Sequence, residues 1–154
     1  MGEPISYTLT DLDIRCLSTI SGNSLDKMNN TSRLLIIDDN IEILDTLCDF
    51  LRKKNYDVAS ASNGLEGLKL IENEKQGFDL VITDLIMPDI SGVALISIIK
   101  KKYPAMRVIA ITGWGEHPET LATEAEADHV LEKPFELSDL ERLIKRLLSS
   151  GSKI

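Results

Sequence analysis

Three aspartates, a threonine and a lysine stand out because each stands at the end of a short strand-like run. Leu34-Leu35-Ile36-Ile37 leads into Asp38-Asp39, and Leu80-Val81-Ile82-Thr83 into Asp84. Val108-Ile109-Ala110-Ile111 leads into Thr112, and His129-Val130-Leu131-Glu132 into Lys133. If these runs are parallel strands, their carboxyl ends share one edge of a sheet, where open α/β folds gather functional groups. Carboxylates packed together repel, and none stays ionised cheaply unless a cation joins them. A hard oxygen site with few protein carboxylates suits Mg2+, which keeps several waters and takes phosphate oxygens as co-ligands. With the metal bound, Asp84 can offer a carboxylate oxygen as nucleophile to a phosphoryl group. Phosphoryl transfer asks mainly for positioning and charge neutralisation. Mg2+ and Lys133 would supply the charge, and Thr112 a hydrogen bond to a phosphoryl oxygen.

Each residue also has a plainer reading. Asp38-Asp39 could cap the helix that follows. Asp84 could be a turn residue before Pro88, Lys133 an exposed charge and Thr112 a routine strand-end threonine. Together these readings require five coincidences along one edge of one sheet, which is why the joint chemical reading is preferred.

The elements that must position these residues alternate regularly from Arg33 onward. Leu34–Ile37 is a continuous apolar run, as expected of a strand buried on both faces. Ile41, Leu44, Leu47, Cys48 and Leu51 form a helical stripe that ends in Arg52-Lys53-Lys54, where the helix dipole favours cations. A second strand is expected over Tyr56–Ala61. The spacing Asn63 to Glu66 predicts a capped helix running to about Lys75. Phe78–Thr83 reads as the third strand, Ser91–Lys102 as a helix and Arg107–Ile111 as the fourth strand. A weaker helix is expected over residues 117–126, with Pro118 in its first turn. His129–Glu132 makes a short fifth strand. Ser138-Asp139-Leu140-Glu141 has capping-box spacing ahead of Leu143, Ile144, Leu147 and Leu148. Five strands and five helices in alternation imply an α/β fold: a doubly wound, five-stranded parallel sheet.

Residues 1–32 are of another kind, rich in Ser, Thr, Asp and Asn. They read either as a flexible tail or as a short helix carrying Leu9, Leu12, Cys16 and Ile20 on one side. Translation starting at Met28 is a further reading of the same stretch. Cys16 and Cys48 give no disulfide framework or zinc spacing, and His117 and His129 have no partners at ligand spacing. The formal charge of −8 argues against a broad basic face for nucleic acid or an anionic membrane. The chain shows no bilayer-length apolar segment and no signal-peptide pattern, so the expected location is the cytoplasm.

Taken in order, these motifs resemble the receiver domain of two-component response regulators, a flavodoxin-like fold. Asp38-Asp39, Asp84 with Met87-Pro88 and Gly92, Thr112-Gly113, and Lys133-Pro134-Phe135 carry the resemblance over residues 33–149, leaving 150–154 as a tail. It implies Asp84 as phosphoacceptor, with Thr112 and Lys133 assisting. The Mg2+ ligands would be Asp38, Asp39, Asp84 and the backbone carbonyl of Ile86, and the Lys133–Pro134 bond would be cis. The phosphoryl donor would be a histidine kinase or phosphotransfer protein. A downstream protein target would read the state on the face made by the fourth helix, fifth strand and fifth helix, part of it acidic through Glu116, Glu119, Glu124, Glu126 and Asp128. The expectation is a stand-alone signalling module, monomeric or weakly dimeric, rather than a metabolic enzyme.

Two departures from the family pattern matter. Val130 stands where many receivers carry an aromatic residue that turns inward with the threonine. Ile86 and Trp114 occupy the positions that control water access to the aspartyl phosphate, and neither orients a water, so slow self-dephosphorylation is expected. A phosphatase with an aspartate nucleophile, as in the haloacid dehalogenase class, needs a second aspartate two residues on. Ile86 follows Asp84 at that distance, Asn40 follows Asp38, and Ile41 follows Asp39. A receiver-like scaffold that is never phosphorylated is the other alternative, and the intact acceptor, hydroxyl and lysine positions weigh against it.

Overall fold

Strands buried on both faces need apolar side chains in both directions, and the alternation of the runs splits cleanly between two layers. The computed structural model describes residues 31–113 and 126–151. It contains β1 (Arg33–Ile37), α1 (Ile41–Lys53), β2 (Asp57–Ala61), α2 (Gly64–Asn73) and β3 (Leu80–Asp84). These are followed by α3 (Gly92–Lys102), β4 (Arg107–Thr112), β5 (His129–Glu132) and α4 (Leu137–Gly151). All strands are parallel, in the order β2-β1-β3-β4-β5. Leu35, Ile37, Val81, Val108 and Ala110 face a core completed by Ile71 of α2 and Leu95, Ile96 and Ile99 of α3. Leu34, Ile36, Leu80, Ile82, Ile109 and Ile111 face the opposite core, built with Leu44, Leu47 and Leu51 of α1 and Leu140, Leu143 and Ile144 of α4. The sheet is therefore doubly wound, as the alternation of runs predicts, and Cys48 is a buried free thiol in the α1 layer.

Several boundaries differ from those expected. The helix expected over 117–126 falls on residues outside the described ones except for Glu126, which sits in a turn with φ of 60°. Four helices are thus seen among the described residues. The Ser138–Glu141 capping box does not form, because α4 begins at Leu137, two residues before the start that box requires, and the Asp139 and Leu140 amides donate to the Glu136 carbonyl. Glu141 instead binds Lys145 at 2.9 Å and Lys54 at 3.5 Å, tying α4 to the end of α1. In α2, Asn63 is the cap, but the Glu66 carboxylate reaches back to the Ser62 amide and hydroxyl rather than to Asn63. α4 also takes in Ser150 and Gly151, which the sequence alone leaves to the tail.

Asp128 does not belong to a free acidic face. Its Oδ2 accepts from Lys100 Nζ of α3 at 2.6 Å and from the Val108 amide at 2.7 Å. The start of β5 is thereby held to the start of β4 and to α3, at the edge of the sheet opposite Asp84. Glu116, Glu119 and Glu124 lie outside the described residues. Among those described, no helix is long and apolar enough to cross a membrane.

Candidate functional site

The cap of α1 decides what Asp38 and Asp39 are free to do. Asn40 is the N-cap, its side-chain oxygen accepting from the amides of Glu42 and Ile43, so neither aspartate is consumed in that role. Asp38 is 1% exposed; its Oδ1 accepts from the Asn40 amide at 2.9 Å, while its Oδ2 is buried and makes no hydrogen bond among the described residues. Asp39 is exposed at the mouth of the same site. Carboxylate oxygens of Asp38, Asp39 and Asp84 all lie within 4.8 Å of one another.

Asp84 closes β3 and is 8% exposed. Its Oδ1 accepts from the Ile86 amide at 3.1 Å, and its Oδ2 faces Lys133 Nζ at 3.3 Å. Lys133 is placed by β5: Thr112 pairs with Glu132 in the ladder, and the Lys133 amide donates to the Thr112 carbonyl at 2.8 Å. The Lys133–Pro134 bond is cis, as the resemblance implies. Thr112 is wholly buried, and its hydroxyl has no hydrogen-bond partner among the described residues. α3 closes in beside Asp84 because residue 92 has no side chain. A Cβ there would lie 2.2 Å from the Asp84 carbonyl oxygen and 2.5 Å from Leu85 Cα, and the Gly92 amide donates to the Leu85 carbonyl at 2.8 Å.

Electrostatics follow from this packing. Burial pushes the Asp38 carboxyl above its ordinary range; the Asn40 amide opposes that shift, the charges of Asp84 and Asp39 add to it, and Lys133 offsets part. An orphaned, buried carboxylate oxygen beside two further carboxylates is a donor set that fits a hard divalent cation. The Ile86 side chain projects outward, 58% exposed, and Val130 packs in the layer of α2 and α3. Trp114 lies outside the described residues. His129, in β5, is half-buried, and burial lowers its pKa.

The structure brings together every candidate side chain: Asp38, Asp39, Asp84, Thr112 and Lys133 share the carboxyl edge of the sheet. Sequence reasoning missed Asn40, whose capping role frees the aspartate pair, and Thr83, whose hydroxyl donates to the Asp84 carbonyl at 3.0 Å. The signal available for Thr83 was a hydroxyl in an otherwise apolar strand, immediately before Asp84.

A doubly wound sheet in the order 2-1-3-4-5, with acidic side chains at the ends of its first and third strands, defines the flavodoxin-like receiver class. The profile of the response regulator receiver domain matches residues 34–145, and the chain belongs to that family. The transcriptional regulatory protein CpxR homolog of Haemophilus influenzae is 35% identical over 118 residues, which cover 76% of this chain and 50% of that protein. The chain thus spans half of that relative's length, and 27% of some others. A CheY-like receiver domain protein from Methanospirillum hungatei is 35% identical, with a TM-score of 0.75 over 80% of this chain and 98% of that one. The response regulator TrrA from Thermotoga maritima, solved in complex with Mg2+-BeF, is 32% identical, with a TM-score of 0.69 over 76% of this chain and 99% of its own.

Proposed function

We propose that this receiver accepts a phosphoryl group on Asp84 from a histidine kinase or phosphotransfer protein, in a Mg2+-dependent reaction, and signals through protein contacts that depend on that modification. The observation that carries the reading is the convergence at Asp84. Its Oδ2 lies 3.3 Å from Lys133 Nζ, two further carboxylates stand within 4.8 Å, and a buried threonine hydroxyl without a partner closes the neighbouring strand. The response regulator TrrA from Thermotoga maritima was solved in complex with Mg2+-BeF, which supports a Mg2+-dependent reading for a chain of the same family.

Asp38, Asp39, Asp84 and the Ile86 carbonyl would hold the metal. When bound, Mg2+ supplies positive charge to the carboxylates and to the phosphoryl oxygens. A carboxylate oxygen of Asp84 attacks phosphorus, the bond from phosphorus to the donor nitrogen breaks, and the donor imidazole leaves with the electron pair. Lys133 offsets negative charge at the acceptor, and Thr112 donates its hydroxyl to a phosphoryl oxygen. The product is an aspartyl phosphate. The protein is on this reading a signalling phosphoacceptor in the cytoplasm, not a metabolic enzyme, and its output face includes β5 and α4.

Intact mass after incubation with Mg2+ and acetyl phosphate tests the assignment, with Asp84→Asn as control. The expected result is one added phosphoryl group, dependent on Mg2+ and absent in the control. An adduct that persists in Asp84→Asn would place the acceptor elsewhere.

A further inference from the structure

β3 is apolar up to Asp84 except at Thr83, whose side chain is wholly buried. Strand alternation puts Thr83 on the face of Val81 and Leu85, toward the layer of α2 and α3 and away from the acceptor's own side chain. Its hydroxyl donates to the main-chain carbonyl of Asp84 at 3.0 Å. That carbonyl is also where α3 approaches the strand most tightly, since a Cβ on Gly92 would fall 2.2 Å from it. The same peptide unit is held at its other end, where the Leu85 amide donates to the Ile111 carbonyl at 3.0 Å. The next amide, that of Ile86, donates to Asp84 Oδ1 at 3.1 Å. With the Gly92 amide on the Leu85 carbonyl at 2.8 Å, two consecutive peptide planes are therefore fixed by four hydrogen bonds. Of these, only the Thr83 bond can be removed by changing a side chain other than the acceptor's.

We infer that Thr83 is a positioning residue for the phosphoacceptor: its hydroxyl holds the Asp84–Leu85 peptide plane and so sets the direction of the Ile86 peptide group that follows. The inference rests on the reading of Asp84 as acceptor. A buried threonine could instead be satisfying only its own hydroxyl at the nearest carbonyl. The two accounts differ in what an isosteric loss does. If the hydroxyl serves only itself, Thr83→Val removes the need together with the group, and the site is unchanged. If it orients the peptide, the Asp84 carbonyl loses its donor and the acceptor loop relaxes.

The test measures two quantities in wild type, Thr83→Val and Thr83→Ser. One is the rate of phosphorylation by acetyl phosphate, and the other is Mg2+ affinity, followed by amide shifts of labelled protein without any phosphodonor. Thr83→Val is expected to slow phosphorylation and weaken Mg2+ binding by about three- to tenfold each, the range set by one buried hydrogen bond. Thr83→Ser, which keeps the donor, is expected to restore both. Thr83→Ala gives the same comparison without added bulk should the valine variant fail to fold. Wild-type values in Thr83→Val, or equal losses in Thr83→Val and Thr83→Ser, overturn the inference. Absence of any Mg2+-dependent adduct in the wild type overturns instead the acceptor assignment on which it rests.

Discussion

Replacing Asp38 by asparagine should make the metal-free protein more stable, although it removes a group from the site. Asparagine keeps the bond that Asp38 Oδ1 accepts from the Asn40 amide, and converts the buried, unpartnered Oδ2 into a neutral amide donor beside two carboxylates. Two unit charges 4.8 Å apart repel by about 3 kcal/mol at an effective dielectric near 20, and by under ~1 kcal/mol in bulk water. Asp38 and Asp84 are both buried, which favours the larger value, whereas Lys133 at 3.3 Å from Asp84 offsets part of it. A net gain of about 1–2 kcal/mol is expected, or roughly 3–8 °C in Tm for a domain of this size. The pH dependence has a definite sign. Burial raises the Asp38 carboxyl above 3.8, so the folded state binds its proton more readily than the unfolded chain does. The penalty is therefore full above the raised pKa and is relieved as pH falls through it toward 3.8. Thermal melts in EDTA should show the variant above wild type by most at neutral pH, with the gap shrinking on acidification. Adding Mg2+ should raise the wild-type Tm and leave the variant nearly unmoved, because only the wild type retains the full donor set. A variant no more stable than wild type in EDTA at pH 7 would refute the reasoning, as would a gap that widens with acid.

Gly92→Ala should cost about 2 kcal/mol or more, because the new Cβ meets backbone atoms of Asp84 and Leu85 that cannot swing aside; chemical denaturation measures the loss, and phosphorylation should slow with it. Ile86→Asn combined with Trp114→Glu should shorten the life of the aspartyl phosphate by giving an attacking water groups to bind, and timing the decay of the adduct by intact mass checks this. An unchanged decay rate in the double variant would remove water access at these positions as the control. Glu126→Gly should stabilise the fold by about 0.5–1 kcal/mol, since Glu126 holds a φ of 60° that glycine adopts without steric penalty; a Tm equal to or below wild type would count against that strain.

How much was legible depends on the range over which each feature is determined. The runs ending at Ile37, Ile82 and Ile111 are apolar in both directions because both faces of the sheet are covered, and such runs declare themselves in one dimension. The five site side chains were legible for the same reason, being fixed by the strand ends. Caps were less so. Asp38, Asp39 and Asn40 are all competent to cap α1, and only the backbone path selects Asn40. Ser138 and Glu141 have the right spacing, yet α4 starts two residues too soon for them. Asp128 has the look of surface charge in the sequence because its partner Lys100 lies 28 residues away, a pairing made by the β4–β5 crossover and by no local pattern. Thr83 escaped for a different reason: a hydroxyl bonding the next residue's carbonyl follows no periodicity.

The departure at Val130 bears on how a phosphorylated state could be transmitted. An aromatic ring at that position could swing between two rotamers, but a β-branched valine in the packed layer of α2 and α3 has one strongly preferred χ1 and little volume to vacate. The Thr112 hydroxyl is buried without a partner among the described residues, and on the proposed reading a phosphoryl oxygen on Asp84 would be the acceptor it lacks. Any shift of Thr112 toward that oxygen acts directly on β5, because the Thr112 carbonyl holds the Lys133 amide at 2.8 Å and Thr112 pairs with Glu132 in the ladder. β5 is the partly exposed edge strand of the sheet, and its start is pinned through Asp128 to Val108 and Lys100. One end of the strand is thus tied to Thr112 while the other is fixed to α3. A switch in this chain would therefore run through main-chain movement at the β4 and β5 ends rather than through a side-chain rotamer.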